Sequence, residues 1–416
     1  MKKHLWLLFA VLSIFLLVAC SEDSNENASS EETDSSVQEE SGTEEVASSE
    51  PIKVGVLASL TGALESYGKQ TKNGFELGLE YATGGTMEVE GRKIEVVWED
   101  TETKPEVAVQ KATKLLEDDK VDFLVGSSSS GDTLAVLPLA EEYEKIMIVE
   151  PAVADSITGS EFNPYIFRTA RNSSQDAYAA AAAIAGEGVK IATFAPDYSF
   201  GWDGVSAFKA AAEKLGAEIV LEEYADPAAT DFTSNLQKII DAKPEFLFVV
   251  WAGANSPWNQ ISDLKIQEKG IKISTGAPDI VALQFMEPLI GMEGFSVYHH
   301  TLPNNDVNDW LVEQHKARFN EVPDLFTPGG FSAAVAIVEA LKKSGGDADG
   351  NTLIPLMEGM SFETPKGTMT FRKDDHQALQ TMYAIRLEKV AEFDYPIPVL
   401  IRELSPEETE PPILNK

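Results

Sequence analysis

The residues of this chain that could do chemistry are few and poorly placed for it. His299 and His300 follow an apolar run and could serve as a base or a metal pair. Neighbours on a strand point to opposite faces, however, so one packed and one solvated histidine is the expectation. Asp374-Asp375-His376 falls between two late apolar runs, where a turn with a capping histidine is expected rather than a catalytic dyad. The sequence holds no HExxH, no cysteine-histidine cluster and no GxSxG elbow. Gly62 to Lys69 is a near miss for a phosphate loop, but Gln70 stands where Ser or Thr should bind magnesium. The chain therefore reads as a non-enzyme that needs no metal and no cofactor. One polar group stands out, Gly126-Ser127-Ser128-Ser129-Ser130-Gly131, which is either a flexible turn or an anion site where hydroxyls and free helix N–H groups meet.

These residues need elements to position them. Strands are expected over 52–57, 93–98, 121–126 and 146–149, and helices over 68–81, 105–116 and 133–143. The pattern restarts with strands over 190–194, 218–222, 246–251 and 273–275 and helices over 202–215, 232–242 and 258–267. Such alternation specifies a parallel sheet with helices on both faces, and two series give two lobes. Later runs predict a strand over 295–298, helices over 308–319 and 331–343, and paired strands near 368–371 and 381–386. That returning chain should cap each lobe in turn and cross between them as a hinge. The fold class is α/β, two doubly wound parallel-sheet lobes joined by a hinge. Lobe 1 covers 51–171 and 303–379, lobe 2 covers 172–302 and 380–404, and 405–416 is a C-terminal tail.

In open α/β sheets ligands sit beyond the carboxyl ends of the strands. Ser59-Leu60-Thr61-Gly62, the serine run and Pro151-Ala152-Val153-Ala154 lie there in the first series. In the second lie Asp197-Tyr198-Ser199-Phe200-Gly201, Trp251-Ala252-Gly253-Ala254 and Ala277-Pro278-Asp279. Small residues and hydroxyls line one wall, aromatics and a carboxylate the other.

The ends and the charge give an address. Lys2 and Lys3 precede an uncharged apolar run over 5–19, the layout of a signal peptide, here 1–20. The run closes on Leu17-Val18-Ala19-Cys20, which resembles the lipobox of bacterial lipoproteins and implies that Cys20 is acylated. Cys20 is the only cysteine in 416 residues, so it forms no internal disulfide. Residues 21–50 carry no Lys, Arg or aromatic and read as a disordered acidic tether. A formal charge of −35 argues against nucleic acid as a partner.

With those loops in order, the chain resembles the periplasmic leucine/isoleucine/valine-binding protein family, the type I solute-binding proteins of branched-chain amino acid ABC importers. The likeness runs from about 52 to about 389. It is carried by Leu60-Thr61-Gly62 with Tyr67-Gly68, the serine run, Pro151-Ala152-Val153-Ala154, Phe167-Arg168-Thr169, Phe200-Gly201, Pro278-Asp279 and Phe326. It implies a Venus-flytrap that closes on an amino acid or similar small molecule and delivers it to membrane permease subunits; with the lipobox-like run, the expectation is a monomer outside the cytoplasm anchored through acylated Cys20.

The resemblance also assigns roles. Tyr67 is a pocket tyrosine, Ser129 or Ser130 binds the ligand carboxylate, and the Ala152 carbonyl takes the ammonium. Asp279 pairs with the ammonium from the other lobe, and Phe326 is an aromatic wall, with Tyr198 in the loop facing it. Three departures each remove a hydroxyl: Ala154 replaces a threonine, Phe200 a tyrosine and Ala254 a second tyrosine, although Trp251 could refill that volume. Lost hydroxyls change which ligand is held. The implied ligand is a branched-chain or related hydrophobic amino acid; an aromatic acid, an amide or another small carboxylate is the alternative, as is a sensory receptor of the same fold.

Overall fold

The computed structural model describes residues 50–253 and 255–416. Cys20, the expected signal peptide, the expected tether up to residue 49, and Ala254 lie outside the described residues.

The first series runs β1 (Ile52–Ala58), α1 (Glu65–Ala82), β2 (Glu88–Val89), β3 (Arg92–Asp100), α2 (Pro105–Glu117), β4 (Phe123–Gly126), α3 (Ser130–Glu142), β5 (Ile146–Val149) and β6 (Ile166–Arg168). Its six strands lie in the order β2-β3-β1-β4-β5-β6, parallel except for β2 on β3. β4 and β5 are buried along their whole length and read as unbroken apolar runs because helices cover both faces. Chain order reverses between β1 and β4, which opens a crevice beyond their carboxyl ends.

The second series runs α4 (Ser173–Ile184), β7 (Lys190–Pro196), α5 (Ser199–Lys214), β8 (Glu218–Ala225), α6 (Thr233–Ala242), β9 (Phe246–Val249), α7 (Trp258–Asp263), β10 (Lys272–Ser274), α8 (Ile280–Leu283) and β11 (Glu293–Ser296). Its parallel sheet is ordered β10-β9-β7-β8, with the reversal between β7 and β9. The returning chain supplies α9 (Asp306–Phe319), α10 (Thr327–Ser344), α11 (Gly350–Met357), β12 (Ser361–Thr364), β13 (Gly367–Phe371) and β14 (Ala378–Leu379), then β15 (Met382–Glu388) and β16 (Ile397–Leu404).

α10 lies directly on α1. A Cβ on Gly74 would overlap the Thr327 carbonyl oxygen, and one on Gly330 would overlap that of Thr71, so only glycine lets the two backbones approach this closely.

Three expectations are corrected. The strands near 368–371 and 381–386 do not pair with each other. β13 pairs with β12 and β14, while β15 pairs with β11 and β16, because the chain passes from one sheet system to the other between Leu379 and Met382. His299 and His300 do not alternate either. β11 ends at Ser296, and on the turn beyond it both rings swing to one side, 4.4 Å apart and each about 6 Å from Phe393. Burial pushes their pKa values down to about 3 and about 4, so both are neutral at physiological pH. Third, α4, α8, α11, β2, β6, β12, β14 and β16 carry no counterpart in the sequence reading. α4 is largely alanine and has no apolar period, although its capping box was readable: Asn172 Oδ1 accepts from Gln175 N, and Gln175 Oε1 from Asn172 N, both at 2.9 Å. Asp375-His376 does form a turn, with Arg372 paired to Asp375 and His376 stacked on Phe167 at 3.9 Å.

Candidate functional site

The loops beyond β1, β4 and β5 converge through the serine run, which is ordered by its own hydrogen bonds. Ser127 Oγ donates to the Ser129 carbonyl at 3.1 Å, and the Ser59 N–H donates to Ser128 Oγ at 3.0 Å. Ser130, the first residue of α3, accepts from Val153 N at 3.3 Å and Ala154 N at 3.2 Å. Two incoming N–H groups occupy both lone pairs of that hydroxyl, so its proton is what remains to give. No protein group among the described residues takes it.

Ser128, Ser130 and Ala152 line a cavity in the cleft between the two sheet systems; Ser129 and Ala154 do not. Ser129 sits just outside α3, where its carbonyl accepts from Thr133 N at 2.9 Å. Ala154 is fully buried, and its carbonyl is held by Arg168 Nη1 at 2.7 Å. Arg168, itself fully buried, also grips Gln377 Oε1 at 2.6 Å and is a structural clamp.

Tyr67 and Phe326 meet with ring centroids 4.3 Å apart and line the same cavity. The Tyr67 hydroxyl accepts weakly from Gly253 N at 3.4 Å. Burial, with Asp279 nearby, raises its pKa well above the ordinary value, so it stays a protonated donor. From the second series come Tyr198 and Phe200, at the start of α5 beyond β7, and Trp251 beyond β9. The Trp251 ring packs on Phe194 at 5.1 Å and Phe232 at 5.0 Å, and its Nε1 donates to the Asn255 carbonyl at 2.7 Å. Aromatic pairs at such distances hold one another in offset or edge geometry.

Asp279 does not line the cavity. One of its oxygens accepts from Ala282 N at 3.1 Å, capping α8, and the other accepts from Ser66 Oγ at 3.0 Å. A carboxylate at a helix start finds a backbone N–H within reach, and here that local bond takes the side chain away from the ligand space. Beside it Asp324, pushed up to about 7 by burial and by Asp279, accepts from Ile280 N at 3.1 Å and from Gln70 Nε2 at 3.1 Å.

The charged groups that do line the cavity are Arg171 and Asp176, neither of which the sequence reading named. Arg171 Nε donates to Asp176 Oδ1 at 3.2 Å, and its guanidinium lies 5.7 Å from the Phe326 ring centroid. Its two terminal nitrogens have no protein acceptor among the described residues. Burial raises the Asp176 pKa, and Arg171 opposes that rise. Among the described residues no cluster of His, Cys, Asp or Glu is disposed to hold a metal.

The arrangement can bind but has no nucleophile next to a base. It offers hydroxyl protons from Ser128, Ser130 and the tyrosines, one guanidinium and several aromatic faces, a donor-rich, ring-walled cavity.

Comparison with known proteins places the fold. Residues 51–391 match a family model described as periplasmic binding protein. An ABC-type branched-chain amino acid transporter structure from Rhodopseudomonas palustris CGA009 superposes with a TM-score of 0.77 at 48% identity, covering 88% of this chain and 100% of the other. A solute binding protein of an ABC transporter from Rhodopseudomonas palustris BisB5, in complex with 3,4-dihydroxy benzoic acid, superposes with a TM-score of 0.75 at 31% identity, covering 85% and 97%. Leu/Ile/Val-binding protein homolog 6 of Brucella abortus (strain 2308) is 25% identical over 355 residues, 82% of this chain and 88% of that one.

Proposed function

Because the chain belongs to the periplasmic binding protein family, we propose that it captures a small aromatic carboxylate in its cleft and hands it to the permease of an ABC importer. The observation that carries this reading is the cavity's donor set: Arg171 with two free nitrogens and the spare protons of Ser130 and Ser128, against aromatic walls. A carboxylate would accept from Arg171 and Ser130, and charge-assisted bonds of this kind are about twice as strong as neutral ones. The ring would lie between the Tyr67–Phe326 pair and Trp251 with Phe200. An ammonium would have only Asp176 among the lining carboxylates, and Arg171 already engages it. The relative in complex with 3,4-dihydroxy benzoic acid supports the same class.

A branched-chain amino acid is the second reading, favoured by Asp176 in the lining and by the names of the other two relatives. A thermal-shift comparison of benzoates with leucine, isoleucine and valine decides between them. A ligand at about a hundred times its Kd stabilises the fold by about 2.7 kcal/mol. Stabilisation by benzoates and not by the amino acids is expected; the reverse result returns the ligand to the amino acids.

The lobes would divide at 171/172, 302/303 and 379/380, three crossings acting as one hinge. Family membership places the working protein outside the cytoplasm, and anchoring through acylated Cys20 would hold it, as a monomer, near its permease. Cys20→Ala should leave the protein unprocessed or shed into the medium; normal retention of that variant in membrane fractions would refute the anchor.

A further inference from the structure

Behind Arg171 lies a second, smaller space that the ligand reading does not use. It is a chamber of about 20 Å³ lined in part by Glu150, Thr169, Arg171, Lys366 and Gln380, room for about one water. It shares Arg171 and Phe326 with the ligand cavity, so the guanidinium stands in the wall between the two.

Two ionisable groups in this chamber have no contact ion pair among the described residues. Glu150, at the end of β5, is 3% exposed and accepts from Thr169 Oγ1 at 3.1 Å. Lys366, in the turn between β12 and β13, is 4% exposed and donates to the Gln380 amide oxygen. Each is satisfied by a neutral partner rather than by an opposite charge within 4 Å. A buried charge without a contact partner is costly, so such groups sit near the balance between charged and neutral forms.

We propose that a carboxylate ligand binding beside Arg171 draws a proton from solvent onto the Glu150–Lys366 pair, so that capture is proton-coupled. The inference rests on the anionic-ligand reading above and adds a regulation of that same site. Arg171 is the leading charge acting on both groups: it favours ionised Glu150 and disfavours protonated Lys366. A ligand anion beside Arg171 offsets its charge, which makes a proton more welcome at either position. The other charges facing Glu150 are Lys366 and Arg168; those facing Lys366 are Glu150 and Asp176. Of these four only Asp176 also lines the ligand cavity. Burial pushes Glu150 up to about 7 and Lys366 down to about 7, which puts both within reach of a modest field change at neutral pH. The balance is simple: a buffer acid gives one proton to a Glu150 carboxylate oxygen or to Lys366 Nζ, no other bond breaks, and the buffer's conjugate base remains.

The test is calorimetry of the full chain in detergent at pH 7 with benzoate, in phosphate and in Tris, whose ionisation heats differ. Different observed heats, in the sense of proton uptake, are expected, and the difference should shrink in Glu150→Gln and in Lys366→Met. Equal heats in both buffers would overturn the coupling while leaving the ligand reading intact. Absence of any benzoate heat from a normally melting protein would overturn the ligand reading instead.

Ligand-free melting across pH gives an independent arm. A raised carboxyl pKa loses stability as pH climbs from the ordinary Glu range to about 7, and a depressed lysine regains it from about 7 towards the ordinary Lys range. A trough near neutrality should follow, its acid side flattened by Glu150→Gln and its alkaline side by Lys366→Met. Profiles unchanged by both substitutions would overturn the proposal. If a variant does not fold, the two-buffer comparison on the unaltered chain still decides.

Discussion

The two walls of the cleft are made in different ways. On the first wall, Ser128 and Ser130 are fastened by backbone N–H groups from neighbouring loops, and each retains one hydroxyl proton for a ligand. On the second, Trp251 is held by Phe194 and Phe232, and Tyr198 stands 5.9 Å from Phe200. The first wall is preorganised by hydrogen bonds and, on the proposed function, reads charge; the second is held by ring packing and on the same reading reads shape. A site divided this way can change the body of its ligand by altering rings, while the polar anchor stays fixed.

The sharpest way to break that contrast is to remove the charge where the walls meet. Arg171→Ala should weaken benzoate binding by about thirty-fold to several thousand-fold, the range expected when a desolvated charge pair loses one member. Arg171→Lys should recover part of it, since an ammonium keeps the charge but not the planar fork. Calorimetry showing affinity unchanged in both variants would mean that the first wall does not read charge.

Ser130→Ala tests the preorganisation itself. It removes a donor to the ligand and leaves the Val153 and Ala154 N–H groups unpaired, at a cost of about 1–3 kcal/mol for a buried donor. Melting temperature and affinity should therefore fall together, whereas Ser129→Ala, whose side chain lies outside the cavity lining, should leave affinity almost unchanged. A variant that loses affinity at full stability would reduce Ser130 to a simple donor.

The smallest effect on binding is expected at Asp279. Asp279→Ala removes the cap of α8 and should cost about 0.5–2 kcal/mol of stability, read by thermal melting. It should barely change ligand affinity. A loss of about 2 kcal/mol or more in binding would restore Asp279 as a ligand partner and blur the division between the walls.

The first wall was largely legible in the sequence. Ser130 and Ala152 lie beyond strand ends, where open sheets present ligands, while Tyr67, on α1, was named through the family resemblance. The strands themselves were legible because β4 and β5 are continuous apolar runs. Arg171 and Asp176 were not, since they flank the start of α4, whose alanines give no period to read. Asp279 was placed on the right loop with the wrong orientation. Position along a strand says where a side chain begins, not which hydrogen bond captures it. Choosing between Ser129 and Ser130 needed the loop's own geometry, because only Ser130 reaches the N–H groups after β5.

The glycine contact between α1 and α10 also sets how one wall of the cavity is seated. Tyr67 rides on α1, and Phe326 immediately precedes α10, so the spacing of those two helices fixes the spacing of the two rings. A methyl group at Gly74 or Gly330 would wedge the helices apart and disturb that ring pair from outside the cavity lining. This seam therefore acts on the pocket from a distance, and a catalogue of lining residues alone would leave out two positions that seat its wall.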